Sequence, residues 1–267
     1  SHLSLSEMNH PVDDRRLEDY SSYIQADLNI AAEDFSLVIK NRVAMPQGDS
    51  LTLVNLAQLC AHVTLAKALT LPMQNYLTAL SLSDIDPMKS PEETLAFVEQ
   101  INSIIASGFT FAELNYLSRH IVSEASRVAR TDTEIALILD SIRTALKTIT
   151  VQKTEFVVSG PAADPTSIKK MAQGTVIQKL AEVLQLETQA VQELLTLWIK
   201  RSDGNPLIDV FLDQEFVQGN TAVQRENYSE QFDAFVQIHK LALVLTRFAC
   251  TSKQVRWLFE YRDQAQW

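Results

Sequence analysis

The sequence predicts an all-α fold, an irregular array of about twelve helices packed as helical hairpins in two lobes, with little or no β-structure. Three observations carry that expectation. Glycine is scarce, six residues in 267, well under the usual share of about 7%. Such scarcity disfavours tight β-hairpin arrays and the G-x-G turns of nucleotide folds. Apolar residues recur at helical spacing along most of the chain. Capping residues stand where helices must begin, several with Glu or Gln three positions further on. Hydrophobic residues make up 46% and charged residues 21%, an ordinary globular mix in a chain long enough for one large domain or two ordinary ones.

Taken in order, helices are expected at 13–26, 31–41, 50–69, 72–83, 91–107, 111–128 and 132–149. Ser90-Pro91-Glu92-Glu93 sets an N-cap serine, proline at the first helical position and glutamate at the third, a capping box. Leu95, Val98, Ile101 and Ile105 follow as the expected buried face. Gly108 ends that helix as the residue that tolerates a left-handed backbone. Thr110-Phe111-Ala112-Glu113 and Thr131-Asp132-Thr133-Glu134 repeat the box. Further helices are expected at 165–185, 188–201, 206–217, 229–248 and 252–264, with starts at Asp164-Pro165, Asn205-Pro206 and Thr251-Ser252-Lys253-Gln254. Thr148–Gly160 breaks the pattern, its β-branched Ile149, Val151, Val157 and Val158 suiting a short strand or extended crossing. That break, at about 150–164, is the expected boundary between a first lobe at 1–150 and a second at 151–267. Gly204–Tyr228 is expected to hold one short helix between polar loops.

One pattern recurs: an apolar residue, a cap-like residue, then apolar positions five and eight further on. It runs Ile30…Phe35…Val38, Leu71…Tyr76…Ala79, Phe109…Leu114…Leu117, Leu186…Val191…Leu194 and Cys250…Val255…Leu258. The offsets of 41, 38, 77 and 64 residues are too uneven for a strict solenoid and fit an array of helical hairpins. Either these are simply the rules by which helical hairpins are written, or they mark a shared unit.

A net charge of −10 and a pI near 5.0 argue against nucleic acid as the main partner. Ser1–His10 has neither the basic start nor the apolar run of a signal peptide. The longest apolar run, Leu241–Cys250, is ten residues and carries Arg247, short of a membrane span. Cys60 and Cys250 lie in apolar helical surroundings and are expected as free thiols.

Catalytic signatures are missing: the sequence has no G-x-S-x-G, H-E-x-x-H, P-loop or C-x-x-C. His2, His10, His62, His120 and His239 include no pair at metal-ligand spacing. His239 shares a face with Phe232, Phe235, Val236 and Leu243 and is expected in the core, and His120 closes a helix near the surface. Asp84-Ile85-Asp86 lacks the glycine and the terminal glutamate of a calcium loop and is expected as a polar turn. Glu92-Glu93 suits a helix N-terminus, and Asp213-Gln214-Glu215 is expected on a solvated face. Trp198, Trp257 and Trp267 are expected to serve packing or an interface. No catalytic, cofactor-binding or metal-binding residue emerges, and the expectation is a non-enzymatic chain without cofactors.

The stretch Ile85-Asp86-Pro87-Met88-Lys89-Ser90-Pro91-Glu92-Glu93-Thr94-Leu95-Ala96-Phe97-Val98-Glu99 resembles the A subunits of bacterial toxin complexes, the Tc toxins, and continues through Ser107-Gly108-Phe109-Thr110-Phe111-Ala112-Glu113-Leu114-Asn115-Tyr116-Leu117-Ser118-Arg119-His120. Leu51–Leu82, Val176–Leu195 and Phe232–Leu258 are similar to other helical stretches of that subunit, so the resemblance spans about two-thirds of the chain in order. The segment 85–120 is its specific part. The resemblance implies a piece of the helical shell around the channel of a pentameric, pore-forming, insecticidal particle. It further implies a location that is secreted or on the bacterial surface. The implied partners are other regions and protomers of the A-subunit pentamer and a host-cell surface receptor, with neither nucleic acid nor a membrane span in this segment. The receptor-binding inserts, membrane tip and partner-binding end of the whole subunit have no counterpart here, and Ser1-His2 reads as the remnant of a tag, so an excised segment or a small relative of the shell is expected. A stand-alone helical adaptor that binds another protein in a groove is the alternative expectation.

Overall fold

The computed structural model describes residues 15–121, 127–156 and 165–261, with side chains outside 150–156 and 165–167. The fold is all-α. The only β-type pairings among the described residues are the isolated bridges Arg16–Ser50 and Lys200–Pro206. The first unit holds a 3-10 turn at Leu17–Tyr20 and helices α1 (Ser21–Leu28), α2 (Ala32–Lys40), α3 (Leu53–Ala68), α4 (Met73–Leu82), α5 (Pro91–Ser107) and α6 (Phe111–Arg119). The second holds α7 (Asp132–Phe156), α8 (Pro165–Leu184), α9 (Thr188–Glu193), α10 (Ile208–Phe211), α11 (Gln214–Gln218), α12 (Ser229–Arg247) and α13 (Ser252–Glu260). A π-turn at Leu194–Trp198 prolongs α9.

The recurring pattern has a specific backbone meaning. The residue before each apolar position is left-handed: Asn29 (φ 48), Thr70 (φ 54), Gly108 (φ 77), Gln185 (φ 55) and Ala249 (φ 48). The apolar residue's own N–H then reaches back five residues in Ile30→Gln25, Leu71→Ala66, Leu186→Ala181 and Cys250→Leu245, at 2.9–3.1 Å. That is the Schellman closure of a helix C-terminus. The same residue immediately precedes the next N-cap, and the residue five further on is the fourth of the new helix. These two positions form a hydrophobic staple. Phe35, Tyr76, Val191 and Val255 fill the fourth position and are all buried. One apolar side chain thus closes one helix and sets the entry angle of the next.

With so few glycines, four of these five left-handed positions carry side chains. Thr70 is β-branched, the type least suited to positive φ, and its hydroxyl bonds only the neighbouring Leu69 carbonyl, at 2.7 Å. Thr70→Gly is therefore expected to stabilise the first unit by about 1 kcal/mol. Urea unfolding followed by far-UV circular dichroism checks this; a loss of stability would show that the hydroxyl bond outweighs the backbone strain.

Most caps form as expected. Thr110 with Glu113, Thr131 with Glu134 and Thr251 with Gln254 make reciprocal capping boxes. The Ser90 box is only half made. Ser90 Oγ accepts from the Glu93 N–H, but the Glu93 carboxylate pairs with Lys89 Nζ at 3.4 Å.

Several expectations need correction, among them the helix expected at 111–128, which ends at Arg119 with His120 as its C-cap. The chain is helical through 148–156, with no strand there, and Val157, Val158 and Gly160 lie outside the described residues. The helix expected at 206–217 is two, α10 and α11, separated where Asp213 turns from supposed solvated face into N-cap, its carboxylate accepting from the Glu215 and Phe216 N–H groups. The division between units falls between Val128 and Ala129, not at 150–164. The physical reason is the inward stripe of α7. Ile135, Leu139, Ile142 and Leu146 join the second core, with Leu180, Phe211, Phe232 and Phe235.

Charged side chains fix the loop before α12. Lys147 Nζ donates to the Gly219 carbonyl at 2.8 Å, and an Arg143 guanidinium N–H to the Thr221 carbonyl at 2.8 Å. Arg225 grips Asp132 with two 2.8 Å bonds, reaches Asp233 with a third, and lies 5.0 Å over the Phe232 ring. Its guanidinium holds the Asp132 carboxyl below the usual carboxylate range. Elsewhere in the unit, buried Glu193 on α9 is bound by Arg256 of α13 and by Gln189.

Candidate functional site

The singled-out residues scatter. His62 is 2% exposed, and its Nδ1 lies 2.7 Å from the Tyr76 hydroxyl. Burial pushes its pKa down, against smaller upward pulls from the Ala44 backbone and Asp86. His239 is buried on Phe235, ring centroids 6.1 Å apart and nearly parallel. His120 is exposed and left-handed at the C-cap of α6 (φ 58), while His2 and His10 lie outside the described residues. Cys60 and Cys250 are free, half-buried thiols. Asp86 caps the Met88 N–H within a turn at 2.9 Å. Trp198 stacks on Phe259 at 5.7 Å. Trp257 stands exposed against Tyr261, one turn away, and Trp267 is outside the described residues.

Among the described residues no group of three His, Cys, Asp or Glu side chains converges to hold a metal. Nor is any single helix there long and apolar enough to cross a membrane. Two consecutive pairs reach that length and composition only together, α3 with α4 and α5 with α6, bent by 104° and 99°.

What the structure adds is a groove in the first unit. Helix α4 packs against both α2 and α6, and the three enclose about 830 Å³. Each helix contributes one face: Glu33, Leu37 and Lys40 from α2, Leu77 from α4, Asn115 and Arg119 from α6. Leu77 is buried at the base, while Lys40 and Arg119 are exposed. No carboxylate among the described residues pairs with either cation. Asn115 Oδ1 is shielded from solvent and lacks a hydrogen-bond donor. The sequence carried half of this signal, since Asn115 and Arg119 lie one turn apart on α6. The other half, their meeting with α2 across α4, depends on tertiary packing.

A second, smaller cavity of about 410 Å³ lies in the second unit. Leu146, Ile149, Leu212 and Val217 line it with the Lys169–Asp209 ion pair, 3.4 Å. Comparison with family descriptions, with characterised proteins and with solved structures finds no match for this chain.

Proposed function

We propose that this chain is a non-enzymatic segment of the helical shell of a pore-forming, toxin-translocating A subunit, with a structural role and a part in docking on the host cell. The observation that carries the reading is the segment 85–120, whose residues resemble that family and which forms the hairpin α5–α6. Its surface supports the reading too. Leu95 and Ile105 on α5 are 60% and 53% exposed. Apolar side chains left outside a unit's own core suit a segment that neighbouring parts of a larger shell cover.

Sequencing the coding DNA on both sides of this segment tests the reading. One uninterrupted frame, many times this length, is expected. A frame that closes shortly beyond either end overturns it. Saturable binding of the labelled chain to toxin-sensitive cells, displaced by whole A subunit, tests the docking part; without it the role is structural alone.

The groove between α2, α4 and α6 favours a second reading, a stand-alone helical adaptor. A closed short frame together with an occupied groove is the outcome that selects it.

A further inference from the structure

The geometry points to the α2–α4–α6 groove as a docking site for an amphipathic helix of a partner protein, one that presents a carboxylate to Lys40 and Arg119. This holds for a shell segment and for an adaptor alike.

The groove is built from three helix faces, and its lining follows helical spacing: Glu33, Leu37 and Lys40 along α2, Asn115 and Arg119 along α6. Ridges at three- and four-residue spacing are the surface into which another helix packs. The groove is open to solvent. A site for a small ligand encloses most of its occupant, roughly 70–90% of the surface. A helix, by contrast, needs only one face covered, with apolar anchors at three- to four-residue spacing. Leu37 and Leu77 provide the apolar base for those anchors.

Charge selects the partner. In a chain of net charge −10, Lys40 and Arg119 bring two cations to one groove, and among the described residues no carboxylate pairs with either. An Asp or Glu on the incoming helix supplies the missing charge, and Arg119 has the planar fork that grips a carboxylate with two bonds. Glu33 in the same lining disfavours an all-acidic strip, so the partner carries its acid at the Lys40–Arg119 site and apolar or basic residues elsewhere.

A displayed library of helical peptides, each randomised on one face, tests this against the intact chain and against the double variant Lys40→Glu, Arg119→Glu. The expected selectants carry Asp or Glu next to apolar residues three or four positions away. Their affinity for the double variant, by fluorescence anisotropy, is expected to fall about ten-fold or more. Changing the peptide's acid to lysine is expected to restore binding to that variant. Both positions are exposed, and matching circular dichroism and urea curves check that the fold is kept. Should the reversal unfold the chain, Lys40→Gln with Arg119→Gln is expected to give a smaller loss in the same direction. No enrichment, selectants without an acid, or equal binding to both proteins overturns the proposal. Displacement of the peptide by free succinate at matching concentration also overturns it, by making the occupant a small dicarboxylate.

Discussion

Replacing Phe97 with alanine is expected to destabilise the first unit by about 3–5 kcal/mol, and replacing Leu95, on the same helix, by less than about 0.5 kcal/mol. Phe97 is fully buried. Its ring meets Tyr76 edge-on, centroids 6.0 Å apart and planes at 77°, and the Tyr76 hydroxyl in turn contacts His62. Truncation therefore removes a large apolar side chain, an aromatic pair and the wall behind a buried polar contact, in a core too well packed to collapse fully. Leu95 is 60% exposed and has little burial to lose. The measurement is urea unfolding followed by far-UV circular dichroism. The sequence holds no tryptophan before Trp198 and the first unit ends at Val128, so tryptophan fluorescence is expected to leave the second transition in place. A larger loss for the Leu95 variant than for the Phe97 variant would mean that α5 packs on the face read from sequence.

That contrast shows where sequence reasoning stopped. The helix itself was legible: Ser90, Pro91 and Gly108 mark both ends, and α5 runs over the expected 91–107. Its orientation was not. Leu95, Val98, Ile101 and Ile105 make a plausible stripe, but so do Phe97, Ile101 and Ile104, and the second is the one that faces the core. Helix α5 is apolar on more than one side, so periodicity alone does not choose between the stripes, and the larger ring took the interior. The boundary failed for a similar reason. Local signals locate helix ends, but which core accepts the α7 stripe depends on partners far away in sequence. In contrast, the repeated turn was readable position by position because its staple and closure are local. The groove was hardly readable at all. Its cations sit 79 residues apart, at Lys40 and Arg119, and line one groove because α4 packs against both α2 and α6. The assignment of this acidic chain to a toxin shell rests on the residues of 85–120 and not on the fold, since helical hairpins of this kind serve many functions.

Acidification is expected to destabilise the second unit across the window from about pH 6.5 down to about 4, with His239 as the group responsible. Burial pushes the His239 imidazole down to about 4, Arg130 adds to the fall, and Glu134 pulls weakly the other way. In the unfolded chain the same imidazole titrates near 6.5. Below that pH the unfolded state binds a proton that the folded state refuses, so stability falls as pH falls and levels off once both states are protonated. A gap of this size corresponds to about 3 kcal/mol at most, and to less if the ring shifts toward solvent when charged. The carboxylates of Asp132 and Glu193, held low by Arg225 and Arg256, also lose stabilisation in acid. Wild type must therefore be compared with His239→Gln, which removes the titration and keeps a polar side chain. Tryptophan fluorescence in a urea series at successive pH values reads the second unit. The difference between the two proteins is expected to change through the window and to be flat on either side of it. Parallel profiles would mean that the folded imidazole titrates as it does in water, and that its place against Phe235 costs the charged form nothing.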